Sequence, residues 1–442
     1  MAVACGTGAP APAGSPRGSP PTARPSPAIS TEWTEYHRDG GRSGQGPAEP
    51  GLTSPSVAWK AQVDGDVYAS PLIVAGHVIV ATENNTVYSL DLFTGSPIWQ
   101  RHLGAPVDAW ALPCGDIGPV TGITGTPAAD AAKGRLYVVA FLQTRHHMLF
   151  TLNLVDGTVV SQQDVDPVGS TPSVQQQRGA LAVDQGYVYI PLGGLFGDCG
   201  PYHGYVVGVP RLGGAALAYQ VPSARGAGIW SAAGVALDAN GDVYVVTGNG
   251  SSRGAFDFSN AVVELSPSLR VESYFAPANW IALNAGDVDL GALGPTLLPG
   301  AVLAVGKDGV AYLLQAGRLG GVGGQVSTVH LCAGAFGGTA VSGTTVFVPC
   351  ADGLFALSVS PAGLKEVWHQ AHPALGSPIL AAGALWAIEP SSARLYALDP
   401  ATGASLYSTG LGSARHFTTP AATEGFVVAP AGRVVVAVLT AG

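Results

Sequence analysis

Short apolar runs separated by polar turns recur along almost the whole chain, and within the runs apolar residues alternate with smaller or polar ones. SPLIVAGHVIVAT (70–82) and GTAVSGTTVFVPC (338–350) show the pattern: two such runs flank a glycine-containing turn. This is the signature of a β-hairpin, and no long segment keeps the period of about 3.6 residues that an amphipathic helix needs. The clearest hairpin lies within residues 228–254, GIWSAAGVALDANGDVYVVTGNGSSRG. It predicts a strand over about Ala232–Leu237, a tight turn at Asp238–Asp242, a second strand over Val243–Thr247 and a Gly/Asn/Ser-rich loop. Trp230 before the first strand and Asn249 after the second then leave the hairpin at the same end.

Hairpins of this kind are followed by a second recurring pattern. It reads VYSLDLFTGSPIWQ at 87–100, LFTLNLVDGTVVSQ at 149–162, GYVVGVPRLGGAALAYQ at 204–220 and AVVELSPSLRVESYF at 261–275, and it returns at 311–321, 354–370 and 395–409. One unit is therefore four short strands over roughly 40–60 residues, the period of a propeller blade. Seven units are complete. An eighth, at 418–439, stops after its third strand, and PSVAWKAQV (55–63) resembles the fourth strands GSPIWQRHL and KEVWHQ. An N-terminal strand that completes the last blade removes the open edge of the ring. The expectation is all-β: a single eight-bladed β-propeller over residues 31–442.

The four-strand order sorts the loops by face. Turns joining first to second and third to fourth strands are short and share one face. The long, polar connections at 102–126, 140–148, 165–179, 191–204, 222–231, 247–260 and 277–294 fall on the other, mostly in blades two to five. Long loops on one face of a rigid scaffold are where binding is expected.

Composition adds class rather than fold. Of the 442 residues 47% are hydrophobic and only 11% charged, which supports a large core, and 62 Gly with 34 Pro supply the turns. A net charge of −9 without a basic cluster gives no support to nucleic-acid binding. No apolar stretch is long enough to span a bilayer. Residues 1–30 form a low-complexity Ala/Pro/Ser/Gly segment, expected to be a disordered tether. Cys5, in the small-residue context AVAC, suggests a lipid anchor, although no charged or apolar leader segment precedes it. The remaining cysteines are expected to pair as Cys114–Cys199, tying two long loops of neighbouring blades, and Cys332–Cys350, bracing one hairpin; strand arithmetic sets Cys350 opposite Phe336. Disulfides point to an extracytoplasmic protein, secreted or lipid-anchored, and a monomer is expected.

The pattern W-x-x-Y-x-x-D-x-x-R-x-G at Trp33–Gly44 is similar to the opening segment of PQQ-like repeat propellers, which implies that Trp33 and Tyr36 pack on the rim. GIWSAAGVALDANGDVYVVTGNGS resembles the blade of quinoprotein alcohol dehydrogenases that meets the quinone and its metal ion. The resemblance implies Trp230 as a stacking platform and Asn249 as a metal ligand. GKDGVAYLL (306–314) is similar to the family's K-N-G-x-x-Y element, implying Lys307 as a quinone contact, and either Asp287 or Asp289 stands for the catalytic aspartate. The chain also departs from the family. The 191–204 loop has no Glu, so Asp198 is its nearest carboxylate, and Cys114 is followed by Gly115 instead of a second cysteine. Independent binding candidates are Gln176 and Arg178, Tyr202 and His203, and Arg415 and His416. The leading reading is a module that binds a ligand or an envelope protein through the loops of blades two to five. A PQQ- and Ca²⁺-dependent dehydrogenase of an alcohol or sugar is the alternative, and a scaffold resembling the outer-membrane assembly propeller, without a cofactor, is a third.

Overall fold

The computed structural model describes residues 1–2, 32–184, 186–371 and 374–441; Cys5 and nearly all of the expected tether lie outside them. Eight antiparallel sheets follow one another around a ring. Blade 1 runs outward through Leu72–Val74, His77–Ala81, Thr86–Asp91 and Pro97–His102. Blade 8 is built from Ala421–Thr423, Phe426–Ala431 and Val434–Leu439, and Ser56–Gln62 completes it. The closing ladder pairs Ser56 with Leu439 and Gln62 with Val434. The ring is thus shut by hydrogen bonds between the two ends of the chain, as the sequence pattern predicts.

The repeated tryptophan and turn glycine lock neighbouring blades together. Trp59, on the outermost strand of blade 8, donates its indole N–H to Leu92 O of blade 1 at 2.7 Å. Trp99 of blade 1 reaches Leu154 O of blade 2 at 3.1 Å, and Trp368 of blade 6 reaches Pro400 O of blade 7 at 3.0 Å. In each case the ring lies on the glycine of the next blade's outer turn. Those glycines, Gly95, Gly157 and Gly403, have φ of 70°, 67° and 72°. A Cβ on them would stand 2.6, 2.5 and 2.9 Å from the tryptophan. Glycine is needed twice over, for the left-handed turn and for the close approach.

Between the blades the inward-facing Val, Leu, Ile and Ala side chains are fully buried, and the largest cluster joins blades 7, 8 and 1. The centre of the ring holds the segment from Trp33 to Glu49. Its backbone and side chains bond to the innermost strands or their turns in seven blades: Trp33 to Ile73, Thr34 to Ala129, Glu35 to Val183, Gly40 to Leu237, Ser43 to Val341, Gly44 to Leu380, and Glu49 to Gly425. Trp33 and Tyr36 are wholly buried, so the expectation that they pack on the rim is wrong. They belong to a plug: Trp33 pairs with Ile73 of an innermost strand, and the Tyr36 hydroxyl lies 3.3 Å from that of Thr419.

Two local differences matter for the site. The inner strand of blade 4 is confined to Ala236–Leu237; just before it Gly234 turns at φ 65°, where a Cβ would collide with Ala180 O. Residues 231–235 therefore do not extend the strand. The loop 277–294 contains a helix, Trp280–Gly286, too short to show a period in sequence, which buries Trp280 and Leu283. The disulfides Cys114–Cys199 and Cys332–Cys350 are both formed, with Cys350 bridging Ala335, one residue from the expected Phe336.

The tryptophan–glycine lock makes a testable claim. Gly157→Ala combines left-handed strain with a clash against Trp99 and is expected to destabilise the fold by about 2–4 kcal/mol. Gly134→Ala, at φ 61° with open space around the position, should cost only about 1 kcal/mol. Urea-unfolding midpoints of the two variants compare them directly, and equal losses would contradict the lock.

Candidate functional site

The connections that enter the innermost strands converge over the plug on the loop-rich face and enclose a cavity of about 570 Å³. Ten of the residues singled out from sequence line it: Gln176, Arg178, Asp198, Tyr202, Trp230, Asn249, Asp287, Asp289, Lys307 and His416. Tyr36, at the tip of the plug, shares a small cleft with Arg178, His416 and Phe417 of the cavity wall. The plug therefore underlies the floor and makes the channel a blind pocket.

One wall is built by blades 4 and 5. Asp289 immediately precedes the short turn Leu290–Ala292, and its side chain is 5% exposed. Lys307 Nζ, from the turn after Ala301–Val305, lies 2.6 Å from Asp289 Oδ2, and the backbone N–H of Asn249 donates to Asp289 Oδ1 at 2.5 Å. Burial raises the Asp289 carboxyl above the ordinary range, and the Lys307 ammonium only partly offsets this. Asp287 is 66% exposed and 3.8 Å from the same ammonium, so of the two aspartates, both of which border the cavity, Asp289 is the buried one. The ammonium also lies 5.7 Å from the centre of the Trp230 ring, close enough for a cation–π attraction. Gly248 permits this crowding: a Cβ there would come within 2.6 Å of Asp289 Oδ1.

The opposite wall comes from the connections into blades 2, 3 and 8. His416 Nε2 is 3.1 Å from Asp116 Oδ2 and also meets the Arg178 guanidinium. Arg178 lies over the Phe417 ring at 5.0 Å and 3.6 Å from Asp116. Burial pushes the Asp116 carboxyl up, but the hydrogen bond from His416 and the charge of Arg178 prevail and lower it. Beside this wall Tyr202 donates to Asp198 Oδ1 at 2.5 Å; burial and the neighbouring carboxylate raise the phenol. Two neutral groups remain unspent. Among the described residues the side-chain amides of Gln176 and Asn249 have no hydrogen-bond partner, and both border the cavity.

Two sequence candidates lie elsewhere. Arg415 donates to Asp66 Oδ2 at 2.8 Å, and His203 is held through its backbone by the Gln175 side chain at 2.9 and 3.1 Å. Seven lining residues were not anticipated: Asp116, Gly194, Leu195, Phe196, Gly197, Phe336 and Phe417. A signal for two of them exists in the repeat. Arg178, Phe336 and Phe417 each stand four residues ahead of an innermost strand, beginning at Ala182, Ala340 and Ala421.

Lys307→Met should leave Asp289 without its counter-charge and destabilise the protein by about 2–4 kcal/mol. Adding Asp289→Asn should recover part of that loss, and a double-mutant cycle read by urea unfolding should show a coupling of about 1–3 kcal/mol. Near this site Glu83 is buried and accepts the Gly122 N–H at 2.6 Å. Burial raises its carboxyl from 4.5 to about 7, with the hydrogen bond from Gly122 opposing the shift. Between these values the folded state holds a proton that the unfolded chain releases. The stability this gives is complete below 4.5 and is lost as pH rises through about 7. Glu83→Gln should flatten the fall, up to about 1.4 kcal/mol per pH unit, in unfolding free energies measured across that window.

Residues 53–190 match the family model described as outer membrane protein assembly factor BamB. Comparison with curated protein sequences gives no match. Among solved structures, the quinohemoprotein alcohol dehydrogenase from Comamonas testosteroni aligns at a TM-score of 0.73 and 17% identity, over 94% of this chain and 81% of that one. A europium-containing methanol dehydrogenase aligns at 0.70 and 14% over 91% of each chain. BamB from Moraxella catarrhalis aligns at 0.59 and 14%, over 88% and 98%. Residues 53–190 thus match that family model, and the ring of blades has the β-propeller fold that these solved structures share.

Proposed function

We propose that this propeller is a binding module whose central pocket takes a neutral, hydroxyl-bearing ring, a saccharide, between Trp230 and Phe417. The observation that carries the reading is the pair of unspent amides, Gln176 and Asn249, beside these aromatic faces. The Trp230 and Phe417 ring centres are 6.2 Å apart at an angle of 57°, an apolar corner against which a ring can rest. The charged groups are already engaged with one another, Lys307 with Asp289 and Arg178 and His416 with Asp116. A side-chain amide offers both a donor and an acceptor, which matches a hydroxyl better than it matches an ion.

The same residues do not fit PQQ with Ca²⁺. Two cations, Arg178 and Lys307, face four carboxylates, Asp116, Asp198, Asp287 and Asp289, in the cavity wall. That excess of two negative charges disfavours a polycarboxylate quinone. A calcium ion needs six to eight oxygen ligands, yet Asp289 is occupied by Lys307 and the Asn249 N–H, and Asp198 by Tyr202. The loop-rich face of blades two to five thus supports recognition over redox turnover. The two disulfides support placement in an oxidising, extracytoplasmic compartment.

The test is a thermal-shift screen of the full chain against methyl glycosides of common hexoses, pentoses and N-acetylhexosamines, with PQQ alone and with Ca²⁺ alongside. At least one glycoside should raise the melting temperature, Trp230→Ala and Gln176→Ala should each weaken its binding about tenfold or more, and PQQ should have no effect. A screen with no glycoside response contradicts the proposal. PQQ binding with alcohol-dependent dye reduction that Trp230→Ala abolishes would establish the dehydrogenase instead.

A further inference from the structure

Beside the central pocket, residues 109–119 curl around a second cavity of about 470 Å³. Asp116 stands in the wall of both cavities, so the two adjoin. Apart from Asp116 its side-chain lining is apolar or sulfur: Trp110, Leu112, Cys114, Ile117 and Pro119, with alanine and glycine.

The loop that forms it is braced. Val107–Asp108 pairs with Val120–Thr121, the Trp110 N–H donates to Asp108 Oδ1 at 3.0 Å, and the Cys114–Cys199 disulfide ties the loop to blade 3. On this scaffold the Trp110 side chain is 90% exposed, and Phe196, across the disulfide in the wall of the central pocket, is 66% exposed. An apolar hollow that adjoins a polar pocket suits the apolar part of the same ligand.

We infer that the 109–119 cavity is a second subsite, receiving the apolar aglycone of a glycoside whose sugar ring occupies the central pocket. The preferred ligand is then an amphiphilic glycoside. This rests on the saccharide reading of the central pocket and adds to it a direction: the anomeric substituent leaves past Asp116 and lies against Trp110 and Leu112. The loop needs no rearrangement, since the disulfide and the short ladder already hold the hollow open.

Methyl and octyl β-glucoside, with the corresponding galactosides, are titrated calorimetrically into the full chain below the micelle concentration. In at least one pair the octyl glycoside should bind about tenfold or more tightly than the methyl glycoside. Trp110→Ala should remove most of that difference and leave methyl glycoside affinity unchanged, with Leu112→Ser as a second variant of the same hollow. Trp230→Ala should weaken both members of the pair. Equal affinities within each pair, or equal losses for both members in Trp110→Ala, overturn the second subsite while leaving the first. Octyl glycoside binding that Trp230→Ala does not change marks adsorption to exposed apolar surface and also overturns it. No binding by any of the four compounds overturns this inference, and the saccharide reading falls with it when the wider glycoside screen is also silent.

Discussion

The buried ion pair between Glu35 and Arg42 is the constraint around which the centre of this molecule is arranged. Two charges removed from water are costly unless every donor and acceptor is met. Here the Arg42 fork is spread over Glu35 Oε2 at 3.0 Å, Val235 O at 2.8 Å, Leu181 O at 2.8 Å and Tyr36 O at 3.1 Å. Glu35 in turn accepts the Val183 N–H. Burial still raises the Glu35 carboxyl and lowers the Arg42 guanidinium, each against the pull of the other. The pair can be satisfied only when the inner ends of blades 3 and 4 are in place, so it couples the plug to the ring. With Glu49 bonded to Ala382 and Gly425 at the other end, the plug and the closing strand Ser56–Gln62 form one continuous fastening.

A propeller channel without a plug is open at both ends and full of water. The plug gives this one a floor. Above it the connections between blades present side chains that have no strand partner, and those side chains form the pocket. The Asp289–Lys307 and Asp116–His416–Arg178 groups are therefore as much structural as functional: they neutralise charges that the convergence of eight inner ends brings together. What they leave over, two amides and an aromatic corner, is the part that we propose faces a ligand. A shared fold does not transfer activity, and neighbours as different as a dehydrogenase and an assembly factor illustrate the point on this architecture.

The repeating part of the molecule was legible in the sequence because the blades share rules: alternation for the strands, short outer turns and, after blades 8, 1 and 6, a tryptophan that covers the left-handed turn glycine of the next blade. The missing fourth strand of the eighth unit identified the closure, and loop length identified the face that carries the pocket. What could not be read was whatever does not repeat. The resemblance of their segment to PQQ-like propellers puts Trp33 and Tyr36 on the rim, and nothing in their local pattern says that the segment sits at the centre of the ring, bonded to the innermost strands. The neighbours Arg415 and His416 look equivalent in sequence, yet one turns to Asp66 and the other to the pocket. Asp116 and Phe417 escaped notice because their significance lies in partners far away in the chain. Asp289 could be separated from Asp287 only by burial.

The central claim is that this pocket recognises a sugar ring and does not hold a quinone. A crystal structure of the protein soaked with the methyl glycoside that stabilises it best addresses this directly. The account predicts a pyranose or furanose ring against Trp230 and Phe417, its hydroxyls within hydrogen-bonding distance of the Gln176 and Asn249 amides, and Lys307 still paired with Asp289. A ring bound elsewhere, or a planar cofactor lying on Trp230 with Asp289 released from Lys307 to a metal ion, would contradict it.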